Sequence, residues 1–273
     1  MKYLVSTDWL QKNLEKVRIF DASWHLPNSN RNAYSEFESA HIKNSNFFDI
    51  DKNSNQSSSL PHMLPSKDDW EKTMSELGVK NSDHIIIYDN SDLISSCRLW
   101  YTLLYFDHSP GLISILDGGL KKWLKEKKGT TKDIKKFKKT SYAANENISL
   151  VRNKNQIISN IKNKMFQLID ARNKERFLGL QPEARKELKS GNIEGSKNIP
   201  FTELINLEDN TFKNKEELIS IFKKNEIDTN KEMAFTCGSG ITACILGLAN
   251  SIVSGKKPIV YDGSWAEYGL KQK

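Results

Sequence analysis

Three of the 273 residues are cysteines, and one of them, Cys237, is followed at once by Gly238, Ser239 and Gly240. Packing a cysteine into a core does not call for three tiny residues after it. A loop with almost no side chain does allow backbone N–H groups to turn toward the sulfur. The apolar run Met233, Ala234, Phe235 suits a short buried strand, while Ile241, Ile245, Leu248 and Ile252 recur on one helical face. Cys237 therefore falls at a strand-to-helix turn, where loop amides and the positive end of the helix dipole favour a thiolate, the nucleophilic form of cysteine. Cys244 lies two helical turns further on among apolar residues, and Cys97 lies inside the helical pattern Ser95 to Tyr105. Both read as small buried core residues.

Two cysteine-loop chemistries fit this turn. Phosphatase chemistry needs an arginine six residues after the cysteine, because a planar guanidinium clamps phosphoryl oxygens bidentately. That residue is Ala243. Sulfur transfer remains, with the loop amides around Gly238, Gly240, Ile241 and Thr242 holding a persulfide. The Thr242 hydroxyl is placed either to join that loop or to cap the helix.

The elements that position this turn occur twice. RIFDA (Arg18 to Ala22) matches QLIDA (Gln167 to Ala171), and EFESAHIKNSNFF (Glu36 to Phe48) matches ELKSGNIEGSKNIPF (Glu187 to Phe201). HIIIYDN (His84 to Asn90) matches EMAFTCG (Glu232 to Gly238), and ISILDGGLKKW (Ile113 to Trp123) matches PIVYDGSWAEY (Pro258 to Tyr268). Short apolar strands alternate with helical stretches such as Asp68 to Leu77 and Lys215 to Phe222, so each half predicts an α/β unit with a parallel sheet flanked by helices. The repeat puts Asn90 opposite Cys237, leaving the first half without a nucleophile. Asp117-Gly118-Gly119 and Asp262-Gly263-Ser264 predict tight turns, with glycine at positive φ and the aspartate capping the next helix. Asp21 and Asp170 read as structural, and Trp265 as either a pocket wall or core.

Taken with the repeat, the loop CGSGITA resembles the active-site loop of the rhodanese superfamily, closest to its mercaptopyruvate-using branch. That branch has a Cys-Gly-Ser-Gly loop, whereas thiosulfate users carry basic residues after the cysteine. The resemblance covers nearly the whole chain and implies two tandem rhodanese-like domains: residues 1–128 without the nucleophile, a linker at 129–155, and a catalytic domain at 156–273. It implies that Cys237 carries a persulfide, that Arg176 and Arg185 bind the donor's carboxylate and carbonyl, and that Asp51, His62 and Ser239 form a proton relay. It implies no cofactor and no metal. The donor would be 3-mercaptopyruvate or thiosulfate, and the acceptor cyanide, a small thiol or thioredoxin. A thiosulfate:cyanide sulfurtransferase and a noncatalytic persulfide carrier are the alternatives. Two departures stand out: the family's Gly-His-Ile-Pro-Gly turn is Gly191-Asn192-Ile193-Glu194-Gly195 here, and Glu175 precedes Arg176 where glycine is usual.

Composition sets outer bounds. The formal net charge of +7 comes from lysines scattered along the whole chain, with no nucleic-acid-binding motif beside them. Lys125 to Asn155, rich in Lys, Thr and Asn, reads as a solvated connector. The cysteines have neither zinc-site spacing nor disulfide density, which points to a reducing compartment. The opening MKYLVSTDWLQKNLE lacks the apolar core of a signal peptide, and no apolar run reaches membrane-spanning length. A cytoplasmic monomer bound to neither membrane nor nucleic acid is expected.

Overall fold

The computed structural model describes residues 3–271; the outermost residues of the two expected domains lie outside that range. The chain forms two compact units. The first comprises residues 3–56, 64–147 and 207–211, and the second residues 57–63, 148–206 and 212–271. The spatial division thus exchanges two short segments across the linear one: 57–63 packs with the second unit, and 207–211 with the first.

In the first unit the strands are β1 (Leu4–Val5), β2 (Arg18–Asp21), β3 (Ser45–Phe47), β4 (Ile85–Tyr88) and β5 (Ile113–Leu116). They lie in the order β1-β5-β4-β2-β3, every pairing parallel. Helices α1 (Thr7–Asn13), α2 (Ala33–Ser39), α3 (Lys67–Glu76), α4 (Ser96–Tyr105) and α5 (Gly119–Lys125) follow the strands. Every residue of β4 and β5 is buried, as a parallel strand covered on both faces requires, and that is why β4 reads as an unbroken apolar run and β5 is interrupted only by the small Ser114. Val5, Ile19, Ile86, Tyr88, Leu116 and Trp123 close one core layer.

The second unit repeats this plan. Strands β6 (Val151–Arg152), β7 (Gln167–Asp170), β8 (Lys197–Asn198), β11 (Met233–Thr236) and β12 (Val260–Tyr261) are ordered β6-β12-β11-β7-β8, again all parallel. The short strands β9 (Ile205–Asn206) and β10 (Thr211–Phe212) lie outside this sheet. The helices are α6 (Lys154–Asn163), α7 (Lys174–Phe177), α8 (Lys215–Lys224), α9 (Ala243–Ser254) and α10 (Ser264–Tyr268). Capping boxes Asn153/Gln156 and Asn214/Glu217 start α6 and α8. By contrast α9 begins at Thr242 with no side-chain cap, so the expected hydroxyl cap is not made and the first amides of this helix are left for other acceptors.

Three further expectations change. Residues 129–147 are largely exposed, as a solvated connector would be, but they are anchored, since Thr131 exchanges backbone hydrogen bonds with His41 at 2.9 and 3.0 Å and Arg18 stacks 3.7 Å over the Phe137 ring. Tyr142 and Ala144 are buried in the first unit. A few aromatic and small anchors among many lysines are enough to bind the segment down, which average composition conceals. In the two Asp-Gly turns the cap position belongs to Gly118 and Gly263 rather than to the aspartates. Positive φ falls on Gly118 and Gly119 in the first turn but on Ser264, not Gly263, in the second. Among the described residues no helix is long and apolar enough to cross a membrane.

Candidate active site

Strand β11 pairs with β7 from Met233↔Gln167 to Thr236↔Asp170, which delivers Cys237 to the C-terminal edge of the sheet, where open α/β folds bind ligands. The Cys237 side of the turn is fixed from behind. Its N–H donates to the Ser264 hydroxyl at 3.2 Å, and that hydroxyl donates to the Tyr261 carbonyl at 2.8 Å. The Cys237 and Gly238 carbonyls accept from the N–H groups of Trp265 and Ala266 at 3.0 and 2.9 Å. Both carbonyls are thereby turned away from the sulfur, where an oxygen would repel a thiolate.

The loop then curls over the sulfur. Gly240, at φ +80°, donates its N–H to Cys237 Sγ at 3.2 Å. A side chain is strained at that φ, so glycine is required here. Among the described residues the N–H groups of Gly238, Ser239, Ile241 and Thr242 donate to no acceptor, leaving four amides beside an uncapped helix start for an incoming anion. Cys237 itself is 2% exposed. Water is therefore largely kept from the sulfur, which strengthens each dipole acting on it.

Arg176, on α7, reaches this loop: a Cβ added at Gly238 would come within 3.2 Å of Arg176 Nη2. Its guanidinium donates to Glu183 at 2.6 Å, and Glu183 also accepts from Arg172 at 2.7 Å. Arg172 in turn forks onto Asp170 and donates to the Gly191 carbonyl at 2.8 Å, while lying 4.5 Å over the Trp265 ring. Burial opposes the charge on Arg172, but Asp170 and Glu183 more than offset it and hold the guanidinium firmly protonated. Trp265 is thus core, with its indole N–H donating to the Lys189 carbonyl. Arg185 is half-buried, and among the described residues its side chain makes no hydrogen bond or ion pair.

His62 and Ser239 meet. Although they stand 177 positions apart, His62 belongs to the second unit, is buried, and places Nδ1 3.0 Å from Ser239 Oγ and 3.3 Å from the Ser239 carbonyl oxygen. A carbonyl only accepts, so this contact puts the hydrogen on Nδ1. The Ser239 hydroxyl can then accept from His62 while giving its own proton onward. Asp51 belongs to the first unit, where it is exposed and accepts from the Trp24 indole at 2.9 Å.

The sequence reading missed Arg172, Glu183 and Ser264. Arg172 and Glu183 carried a faint signal, an arginine two residues beyond a strand-ending aspartate and a glutamate between the two expected clamp arginines. Ser264 had none, because only the fold brings it under Cys237.

The first unit corrects one expectation. Tyr88 holds the position on β4 that Thr236 holds on β11, each opposite the last residue of the neighbouring strand, so Asp89 and not Asn90 is the counterpart of Cys237. The Asp89 carbonyl accepts from Leu120 at 3.0 Å just as the Cys237 carbonyl accepts from Trp265. Its carboxylate takes the N–H groups of Ser91 and Ser95 at 3.1 and 3.2 Å, occupying the place of the thiol. Burial pushes this carboxyl up to about 7, with nearby Asp21 adding to the effect. Cys97 sits on α4 and Cys244 on α9, both fully buried.

Comparison with known proteins agrees with this duplicated architecture. The rhodanese-like domain family matches twice, over residues 6–126 and 153–271. The chain is 37% identical to mouse 3-mercaptopyruvate sulfurtransferase, covering 98% of this chain and 92% of that one. It is 36% identical to rat thiosulfate sulfurtransferase, covering 97% and 91%. The crystal structure of SseA from Escherichia coli, described as a 3-mercaptopyruvate sulfotransferase, superimposes with a TM-score of 0.87 at 32% identity, covering 98% of this chain and all of that one. A strand-end cysteine under an amide loop, repeated sheet order and two full-length family matches together mean that this chain belongs to the rhodanese-like domain family, with two such domains in tandem.

Proposed function

We propose that the protein is a sulfurtransferase that moves sulfur from 3-mercaptopyruvate, through a persulfide on Cys237, to a thiol or cyanide. One observation carries the reading: the loop over the sulfur is neutral, with no side chain at Gly238 and only a small hydroxyl at Ser239, and the guanidinium of Arg176 lies against it. Relatives named for the two donors are almost equally similar to this chain, so overall identity does not choose between donors and the loop chemistry does.

The Cys237 thiolate attacks the thiol sulfur of the donor. The carbon–sulfur bond breaks, its electron pair flows into the adjacent keto group as an enolate, and the donor's thiol proton ends on the methyl carbon of pyruvate. The outer sulfur stays on Cys237 as a persulfide anion facing the amides of Gly238, Gly240, Ile241 and Thr242. Arg176 and Arg185 hold the donor's carboxylate and carbonyl. Ser239, backed by His62, carries the proton between sulfur and carbon, and Asp51 is the further member proposed for this relay. An acceptor thiol, cyanide or reduced thioredoxin then takes the outer sulfur and returns the thiolate. A monomer in the cytoplasm completes the proposal, in keeping with three buried cysteines that form no disulfide among the described residues.

Intact-mass measurement after donor treatment tests it. One added sulfur is expected on the wild type and none on Cys237→Ser; an adduct that persists in the variant refutes the assignment. Comparing kcat/KM for the two donors with cyanide as acceptor decides against thiosulfate or for it, and labelling without multiple turnovers would favour a carrier.

A further inference from the structure

Arg185 lies between α7 and β8, in a stretch that is neither helix nor strand. Its guanidinium has no hydrogen bond or ion pair among the described residues, so the aim of the side chain depends on how its backbone is held. On one side, two residues earlier, Glu183 is anchored by Arg172 and Arg176 at 2.7 and 2.6 Å. On the other side the Leu188 N–H donates to the Arg185 carbonyl at 3.1 Å and closes a turn. Lys186 and Glu187, inside that turn, are exposed, so side-chain packing does not hold them. Their backbone is held by the segment that follows α10. The Lys271 N–H donates to the Glu187 carbonyl at 3.0 Å and the Lys189 N–H to the Gly269 carbonyl at 2.8 Å, which sets Leu188 and Leu270 as an antiparallel pair. Lys271 Nζ donates to the Lys186 carbonyl at 2.7 Å, and the Trp265 indole N–H to the Lys189 carbonyl at 2.9 Å. Three successive residues of the turn and its exit are thus tied to α10 and the segment after it.

We infer that Gly269–Lys271 is a strip that positions Arg185, with Lys271 as the positioning residue through its N–H on the Glu187 carbonyl. An exposed turn without such bonds samples many conformations, whereas a guanidinium that orients a small keto acid must stay within about 1 Å of one place. The inference deepens the proposed sulfur transfer and rests on it for the role of Arg185. Lys271 itself has no part in the chemistry.

Lys271→Pro tests this, because proline removes the N–H and restrains Leu270 to the extended region that strand pairing needs. With 3-mercaptopyruvate, KM is expected to rise about threefold to tenfold, the range set by losing one modest hydrogen bond, with kcat unchanged. In kcat/KM the double variant Arg185→Ala, Lys271→Pro is expected to match Arg185→Ala alone to within about twofold, since nothing is left to position. An unchanged KM in Lys271→Pro, or a full further loss in the double variant, overturns the role. Hydrogen exchange of the peptide spanning residues 184–189 needs no sulfur donor. Faster exchange is expected there, with β7 and β11 unchanged. Unchanged exchange in that peptide, or lost protection throughout the second unit, overturns the strip as a local hold. Wild-type kinetics in Arg185→Ala alone would refute that arginine's part in the donor reading, while exchange still decides whether the strip holds its turn.

Discussion

The guanidinium of Arg176 lies against the backbone of Gly238, so close that a Cβ built on that glycine would stand 3.2 Å from Nη2. Arg176 cannot swing away freely, because Glu183 grips it from the other side at 2.6 Å. Gly238 and Arg176 thus share one space, which is a reason for glycine there that has nothing to do with backbone freedom. Gly238→Ala should displace the guanidinium by a few tenths of an ångström. The expected result is a KM for 3-mercaptopyruvate raised about threefold to tenfold, short of the hundredfold that about 1 Å of misplacement costs. Steady-state kinetics check it, and an unchanged KM would place the donor elsewhere.

Glu183 joins two arginines, Arg172 and Arg176, and its own side chain is 2% exposed. Glu183→Gln removes the shared negative charge and leaves the fully buried Arg172 with Asp170 alone. Breaking a buried ion pair from one side costs about 3–5 kcal/mol. Chemical denaturation followed by tryptophan fluorescence should report a loss of that order, Trp265 lying under Arg172. A loss below about 1 kcal/mol would mean that the network is not a stabilising one.

Arg185 has no ion pair among the described residues, unlike Arg172 and Arg176. A charged donor with no internal partner is suited to a ligand carboxylate. Arg185→Ala is expected to lower kcat/KM for 3-mercaptopyruvate roughly tenfold to a hundredfold, the loss of one charge-assisted hydrogen bond. Thiosulfate, which has neither carboxylate nor keto group, should be affected far less. Equal losses with both donors would remove Arg185 from the carboxylate site.

Stability should depend on pH through the first unit. Burial raises Asp21 to about 6 and Asp89 to about 7, against a value near about 3.9 for an unfolded aspartate. The folded state then binds more protons than the unfolded state between about pH 4 and 7, so stability falls as pH rises through that window. Asp89→Asn should flatten the slope measured by urea denaturation between pH 5 and pH 8. A slope identical to that of the wild type would show that Asp89 is ionised throughout.

The duplicated α/β plan, the placement of Cys237 at a strand end and the helix after it were all legible in the chain, because each rests on local patterning. Apolar runs such as Ile85 to Tyr88 must be buried on both faces, and a cysteine followed by Gly-Ser-Gly suits a tight turn and not the interior of a helix or strand. The helices Lys67–Glu76 and Lys215–Lys224 lie within about two residues of their expected limits for the same reason.

What only the tertiary structure decided are relations across long separations. Ser264 beneath the Cys237 amide, His62 against Ser239, and the burial of Tyr142 within a lysine-rich stretch have no local signature, since each depends on where the backbone returns. The shift from Asn90 to Asp89 as the counterpart of Cys237 differs, because the ungapped match of HIIIYDN with EMAFTCG already sets Asp89 opposite Cys237 and the strand register agrees with it. Strand register is set by pairing with a neighbouring strand, and a slip of one residue exchanges a buried carboxylate for a half-exposed amide. Sequence order alone placed Cys237 between its strand and its helix; three-dimensional register settled which groups surround it, because hydrogen bonds and burial belong to neighbours in space.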